Sequence, residues 1–337
     1  MTRSLHSQPN SAVFASPQSH SPFQIALLMI VCESEEAIAW DTLSSLAEAC
    51  AGAKQTLFLI DDASPSGIGN RLSERFRETT GQAAECYELR QSLGFYGMAH
   101  RLFLGLSRIA ATGRPFDMVI KIDPDACIVR RDLLPFLREI CPEGVGLFGE
   151  SWRMRRRDAA LLLADLLPFG FKRKSVGDII YHDWQLRRLY SVWWSDFGRR
   201  ALLRGFRFGV IVGGFFFLGG KTLDKLASAG WLTRDQRKHG FTFCDDTLMT
   251  IAAYAVGDPV IDLRMTSSQW GFLAITEESP LESIVPYRPY VVHCLKDRPK
   301  AWEHRRKLRA ALYEPSDSLS QEREGSLRAS KHGSLGL

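Results

Sequence analysis

The sequence has no run of about 18 consecutive apolar residues, the least a membrane-spanning helix needs. Its longest apolar stretches, Ile25–Cys32 and the Gly-rich Phe208–Gly220, are strand-sized. Its seven cysteines (32, 50, 86, 127, 141, 244 and 294) are odd in number and form no CxxC pair. That argues against a disulfide framework or a cysteine-rich zinc site and sets the expectation of a reducing compartment. Residues 1–22 lack the basic and then apolar segments of a secretory leader, so the expected location is cytoplasmic. No nucleic-acid-binding motif is present, and no nucleic-acid partner is expected. At 45 % hydrophobic and 24 % charged over 337 residues, the composition is that of a folded globular protein, neither disordered nor fibrous.

Turn-forming and polar residues dominate 1–22 and 314–337, which read as tails. The globular region between them, 23–313, divides into a nucleotide-side half, 23–150, and a second half, 151–313. In the first half apolar runs alternate with amphipathic ones. The spacing predicts strands at 23–32, 56–61, 84–89, 117–123 and 145–150, and helices at 35–51, 70–79 and 98–111. This alternation predicts an α/β fold, a mostly parallel Rossmann-like sheet with helices on both faces. Ligands in such sheets sit beyond the carboxyl ends of the strands. In the second half the pattern predicts helices at 153–167, 181–204, 222–229 and 246–256, with strands at 208–220 and 289–294.

The net charge of +5 is uneven. Residues 151–210 carry 13 Lys/Arg and 5 Asp/Glu, a local +8 that leaves −3 for the rest. Two readings of that segment stand. It is either a solvated, Arg-rich helical face, or a surface for an anionic partner such as the inner face of a membrane.

Four constellations could carry chemistry. In IKIDPDA (120–126), Asp123 and Asp125 flank one residue just past an apolar strand. Paired carboxylates of this kind suit Mg²⁺ or Mn²⁺, though Asp and Pro also build ordinary turns. In LFLIDDASPSG (57–67), Asp61 and Asp62 end a strand and could meet a base or ribose, or cap a helix. In CDDTLMTIAAYAVG (244–257), Asp245 and Asp246 open a helix whose dipole favours their charged form, as a general base requires; N-capping alone is the plainer reading. In VVHCLKD (291–297), His293 ends an apolar strand and could hold a metal or an anion.

In this order and context the four resemble the motifs of inverting, family-2-type glycosyltransferases with the GT-A fold, from about Phe23 to Lys296. LFLIDDAS looks like that family's strand-end DDxS, and IDPDA is an intact DxD. LRQSLGFYGMAHRLFLGL (89–106) is similar to its Asn/Gly/Ala segment, with Gly94 and Ala99 matching and Arg101 near the second Asn. GGFFFLGGKTLDKL (213–226) resembles its acceptor segment, CDDTL its acidic pair, and VVHCLKD its late His. The resemblance implies a metal-dependent transfer of a sugar, with inversion, from a nucleotide-sugar, UDP-sugar being the expected donor. Asp61, Asp62, Gly94, Arg101 and Asp123 would contact the donor. Asp123, Asp125 and His293 would hold Mn²⁺ or Mg²⁺. Asp246 or Asp245 would be the base. Gly213, Gly214 and Trp194 would border a glycan, lipid-linked or small-molecule acceptor. The chain lacks the QxxRW segment of processive synthases.

Two rivals stand beside it. A nucleotidyltransferase would carry a Gly-rich basic loop after the first strand, where this chain has the acidic, Gly-free CESEEAI (32–38). A non-enzymatic protein of the same fold would bind an anionic membrane or phosphorylated partner through residues 151–210.

Overall fold

The structure, a computed structural model, describes residues 22–92, 97–153, 192–207, 209–233, 245–263 and 271–313; of 192–196 only the backbone is described. In chain order the elements are β1 (Gln24–Val31), α1 (Glu36–Ala49), β2 (Lys54–Asp61), α2 (Ile68–Thr80), β3 (Ala83–Glu88), α3 (Met98–Ala111), β4 (Met118–Ile122), β5 (Cys127–Ile128), α4 (Leu133–Ile140) and β6 (Leu147–Arg153). There follow α5 (Val192–Leu203), β7 (Gly209–Gly219), α6 (Gly220–Ser228), α7 (Asp245–Val256), β8 (Val260–Asp262), β9 (Phe272–Ala274), α8 (Leu281–Ile284), β10 (Val291–His293) and α9 (Pro299–Leu312).

Seven strands form one mixed sheet in the order β3-β2-β1-β4-β7-β6-β8. β3, β2, β1 and β4 run parallel, and β7 is antiparallel to both its neighbours. The expected α/β, mostly parallel sheet is therefore present. Apolar residues fill both faces of β1: Ala26 and Leu28 pack on one side, Ile25, Leu27 and Met29 on the other. A strand buried on both faces reads as a continuous apolar run, as QIALLMIV does. The first core takes in α3, α6 and α7; the second takes in α1, α2 and α4.

The chain builds β1, β2 and β3 outward in one direction, then returns to lay β4 on the other side of β1. Strand order reverses between β1 and β4, and the carboxyl ends of strands at such a reversal are where sheets of this kind bind ligands. Asp123–Asp125 follow β4 directly at that point.

In the second sheet, β5-β10-β9, the strand expected at 289–294 is present as β10, while β5 and β9, two and three residues long, carry no pattern to read in the sequence. β5 leaves the Asp123–Asp125 turn and pairs antiparallel with β10, Val291 facing Ile128. That pairing brings His293 to the turn. The helices α4 and α9 were also unpredicted, and α5 begins at Val192. Of the predicted helix over 153–167, Arg153 instead ends β6 and the rest lies outside the described residues, as do the start of that over 181–204, residues 1–21 and 314–337, and most of the basic segment.

Candidate metal and acid–base site

The turn after β4 is fixed by backbone bonds before any ligand is considered. The Asp123 N–H donates to the Gly214 carbonyl at 2.9 Å, Ala126 N–H to the Asp123 carbonyl at 3.1 Å, and Leu295 N–H to the Asp125 carbonyl at 3.0 Å. Thr42 of α1 donates its hydroxyl to the carbonyls of Pro124 and Ala126. Arg305 of α9, 1 % exposed, donates to the Ala126 carbonyl at 2.7 Å and reaches those of Pro124 and Leu295 at 3.4 Å. Asp41 of α1 balances this cation and Arg309, the latter at 2.7 Å. Burial alone would raise the Asp41 carboxyl, but the two guanidiniums outweigh it and hold it below its usual range. A buried guanidinium thus grips both sides of Asp125.

On that platform the side chains converge. His293 Nε2 is 2.9 Å from Asp125 Oδ1 and 3.7 Å from Asp123 Oδ2. Lys296 Nζ is 3.5 Å from Asp125 Oδ2. Burial works against the charge on Asp125, yet the His293 hydrogen bond and both cations prevail and take it to about 2. Burial likewise works against the His293 imidazolium, and Asp125 with its neighbours raises it to about 10. For Asp123 burial wins over Lys121 and His293, and its carboxyl is raised. Gly214 lies under the His293 ring: a Cβ there would come within 2.3–2.4 Å of three ring atoms. Glycine at 214 is what lets the imidazole lie over β7.

Lys121 was not singled out in the sequence, though a lysine inside the apolar DMVIKID (117–123) was the signal. It is 1 % exposed, yet stands on a central strand. Its Nζ donates to Asp123 Oδ1 at 2.6 Å and to the Gly213 carbonyl, and lies 3.6 Å from Asp245 Oδ2. Burial would lower this amine, but Asp123 and Asp245 hold it charged, above its ordinary value. The buried cation joins the β4 turn to the start of α7. Gly213 backs Asp245, whose carboxylate oxygens a Cβ would meet at 3.1–3.2 Å.

The two acids that open α7 differ. Asp245 is 1 % exposed and spends its charge on Lys121. Asp246 is partly exposed, and one oxygen accepts from the Thr247 N–H at 2.5 Å and the Thr247 hydroxyl at 3.2 Å. Burial, and then the Asp245 charge, push Asp246 up to about 6. A carboxylate in that range can take a proton near neutrality. Glu35, just beyond β1, is a further acid that the sequence did not mark. It accepts from the Cys32 N–H and thiol at 3.2 and 3.0 Å, and its carboxyl is raised by burial first and also by Asp125 and Asp123.

The other expected residues are placed as follows. Asp61 is fully buried and both its oxygens accept backbone N–H groups, from Ser64 and Gly69, each at 2.8 Å. It shapes the turn into α2. Asp62 accepts from the Ser92 hydroxyl at 2.8 Å and pairs with Arg101 of α3. Gly213 and Gly214 lie on β7 beneath the charged cluster. Gly94 lies outside the described residues, and Trp194 falls on α5, where only the backbone is described. The structure gathers Asp123, Asp125, His293, Asp245, Gly213 and Gly214, with Lys121, Lys296 and Glu35 added. Asp61, Asp62 and Arg101 form a separate group at the end of β2.

No protein-family model matches the sequence. No curated protein matches it significantly. Among solved structures, the chain is similar to the mannosyltransferase PcManGT from Pyrobaculum calidifontis in complex with GDP-Man and Mn²⁺, at 15 % identity and TM-score 0.42, over 86 % of this chain and 64 % of that one. It thus spans just under two thirds of that protein's length. It is also similar to the galactosyltransferase LgtC in complex with donor and acceptor sugar analogues, at 12 % identity and TM-score 0.42, over 88 % and 99 % of the two chains. A third is core-mannan synthase A from Aspergillus fumigatus in its Mn/GDP form, at 10 % identity and TM-score 0.39, over 72 % of each chain. Likeness at this level concerns the course of the chain and not its chemistry.

Proposed function

We propose that the protein is a nucleotide-sugar-dependent glycosyltransferase that uses a divalent cation. The observation that carries this reading is the convergence of Asp123, Asp125 and His293 at the strand-order reversal, with Asp245 at the start of α7 joined to them through Lys121. The donor set suits the ion. Two carboxylates and an imidazole offer oxygen and nitrogen atoms around one point, and Gly214 leaves the space His293 needs. Mn²⁺ or Mg²⁺ bound there would supply Lewis-acid neutralisation of a diphosphate leaving group. Lys296, exposed beside Asp125, adds a positive charge facing the same phosphates.

The protein's own groups do the rest. Lys121 and Arg305 hold the ligating turn in place, so little ordering remains for the bound state. Asp246 takes the proton from the acceptor hydroxyl, since it is more accessible than Asp245 and its carboxyl lies near neutrality. A base on the face opposite the leaving group gives inversion. Asp62 and Arg101, paired at the end of β2, border the donor. UDP-sugar is the donor that the DDxS resemblance favours, and the acceptor is a glycan, a lipid-linked sugar or a small molecule meeting residues of the second half.

Thermal unfolding with UDP, GDP and TDP, each with and without Mn²⁺, tests this. The expected result is a rise of several degrees with UDP plus Mn²⁺, lost in Asp125→Ala. A rise with GDP instead corrects the donor alone. No rise with any nucleotide rejects the transferase reading and favours a binding protein that acts through residues 151–210.

A further inference from the structure

Trp152 stands near the end of β6 and is 51 % exposed, one of three large hydrophobic residues so placed among those described. Leaving an indole in water forgoes the stabilisation that its burial gives. This one is nevertheless held in place. Its N–H donates to Glu150 Oε1 at 2.8 Å. Glu150 is 4 % exposed, and its other oxygen accepts the Ala274 N–H at 2.9 Å. A buried carboxylate thus fixes an exposed aromatic ring, and a ring so fixed loses little further freedom when a ligand settles on it.

The strand register brings this residue to the edge of the sheet that carries the acids. β4 ends at Ile122, opposite Phe215 of β7, and the Asp123 N–H meets the Gly214 carbonyl. β6 pairs further along β7, Ser151 with Ile211 and Trp152 with Val210, so these two strands run on past the Asp123–Asp125 turn. The Ile211 N–H donates to the Thr250 hydroxyl at 3.0 Å, and that hydroxyl donates to the Asp246 carbonyl at 2.8 Å. Glu150 meanwhile holds Ala274, which stands opposite His293 in the β9–β10 pairing. The strand end that bears Trp152 is therefore tied both to the first turn of α7 and to the strand that delivers His293. Strand order adds a direction. Asp62 and Arg101 lie at the β2 end, and β1, β4 and β7 separate β2 from β6. The acids after β4 stand between the proposed nucleotide side and Trp152.

Building on the nucleotide-sugar reading, we propose that Trp152 is the stacking platform for the acceptor, and that the acceptor presents a pyranose ring there. A pyranose gathers C–H groups on one face and turns its hydroxyls outward. Laying that face on an indole removes apolar surface from water while the hydroxyls keep their hydrogen bonds. The C–H groups also carry partial positive charge and meet the negative face of the π-system. Glu150 is a positioning residue: it sets the tilt of the indole through the N–H and leaves the ring face to the sugar. No bond forms or breaks in this contact. It fixes where the acceptor ring lies relative to the acids of α7, and it narrows the acceptor to a carbohydrate.

Saturation-transfer NMR and calorimetry on the full chain test this, with and without UDP and Mn²⁺. The probes are the methyl glycosides of glucose, galactose, mannose and N-acetylglucosamine. The expected result is that at least one glycoside binds, with transfer strongest to the ring C–H protons of one face. Trp152→Ala is expected to weaken that binding at least about tenfold, and Trp152→Phe, which keeps a ring, by less than about fivefold. The rise in melting temperature with UDP plus Mn²⁺ is expected to stay unchanged in both variants. Binding of no glycoside, binding that Trp152→Ala leaves unchanged, or a folded Trp152→Ala that has lost the nucleotide response overturns the proposal. If the unmodified protein still responds to UDP and Mn²⁺ in those cases, the platform falls and the transferase reading stands. If a glycoside binds through Trp152 but no nucleotide has any effect, the transferase reading falls and takes the acceptor role with it, leaving a sugar-binding protein.

Discussion

Two acidic groups sit at the carboxyl ends of neighbouring parts of one sheet, and they have opposite fates. At the end of β2, Asp61 gives both oxygens to the Ser64 and Gly69 amides, and Asp62 pairs with Arg101 and Ser92. At the end of β4, Asp123 and Asp125 keep part of their surface open and face His293, Lys121 and Lys296. In sequence both are aspartates closing an apolar strand. Their partners separate them. In the first group Asp61 is satisfied by the turn it shapes, and Asp62 is paired with Arg101 and Ser92. The second stands where the strand order reverses, held on a platform that leaves carboxylate oxygen and imidazole nitrogen pointing at one place.

Removing the proposed base gives the largest expected effect. Asp246→Asn is expected to lower kcat by about 10²–10⁴ while leaving nucleotide binding intact, as steady-state kinetics and calorimetry would read. The same variant is expected to be more stable. A carboxyl raised to about 6 when folded is charged at neutral pH at the expense of the native state, and the cost grows as pH rises above its unfolded value. Removing that charge should add on the order of 1–3 kcal/mol at pH 7, and little at pH 4, in denaturant titrations. For the unmodified protein, kcat/KM should fall about tenfold per pH unit below 6 as Asp246 takes up a proton.

Next comes the platform. Arg305→Ala removes the cation that grips the Pro124, Ala126 and Leu295 carbonyls and leaves Asp41 with one guanidinium fewer. A loss of about 3–5 kcal/mol is expected by chemical denaturation. Mn²⁺ affinity should weaken along with it, because the turn proposed to hold the ion loses its support. The smallest expected effect is at the β2 end. Asp61→Ala frees two backbone amides and should cost about 1–2 kcal/mol, as for a lost helix cap, with Mn²⁺ affinity unchanged. A large loss of Mn²⁺ affinity in that variant would break the distinction between the two acidic groups.

The repeated strand–helix rhythm from β1 to β4 was readable because each strand is long, apolar and buried on both faces, and each helix shows a stripe. The Asp123–Asp125 pair and the acids opening α7 were readable for the same reason, since they punctuate elements with strong local patterns. What the sequence hid depends on contacts remote along the chain. Strands as short as β5 and β9 have no period to detect, and it is their pairing with the readable β10 that brings His293 to the β4 turn. Lys121 looked like an interruption of an apolar run until Asp245 stood across from it. Arg305 read as one of several basic residues on a carboxyl-terminal helix, and only packing shows it buried against the turn. Asp61 was legible as an acid at a strand end, but its local hydrogen bonds decide its role.

The central claim is that the β4 end, and not the β2 end, holds the divalent ion. Mn²⁺ binding measured by electron paramagnetic resonance on the unmodified chain, Asp125→Ala, His293→Ala and Asp61→Ala tests it side by side. The account predicts that free Mn²⁺ signal is quenched by the unmodified protein and by Asp61→Ala, and stays unquenched with Asp125→Ala and His293→Ala. Quenching that survives in Asp125→Ala and His293→Ala, or that disappears in a folded Asp61→Ala, would contradict it.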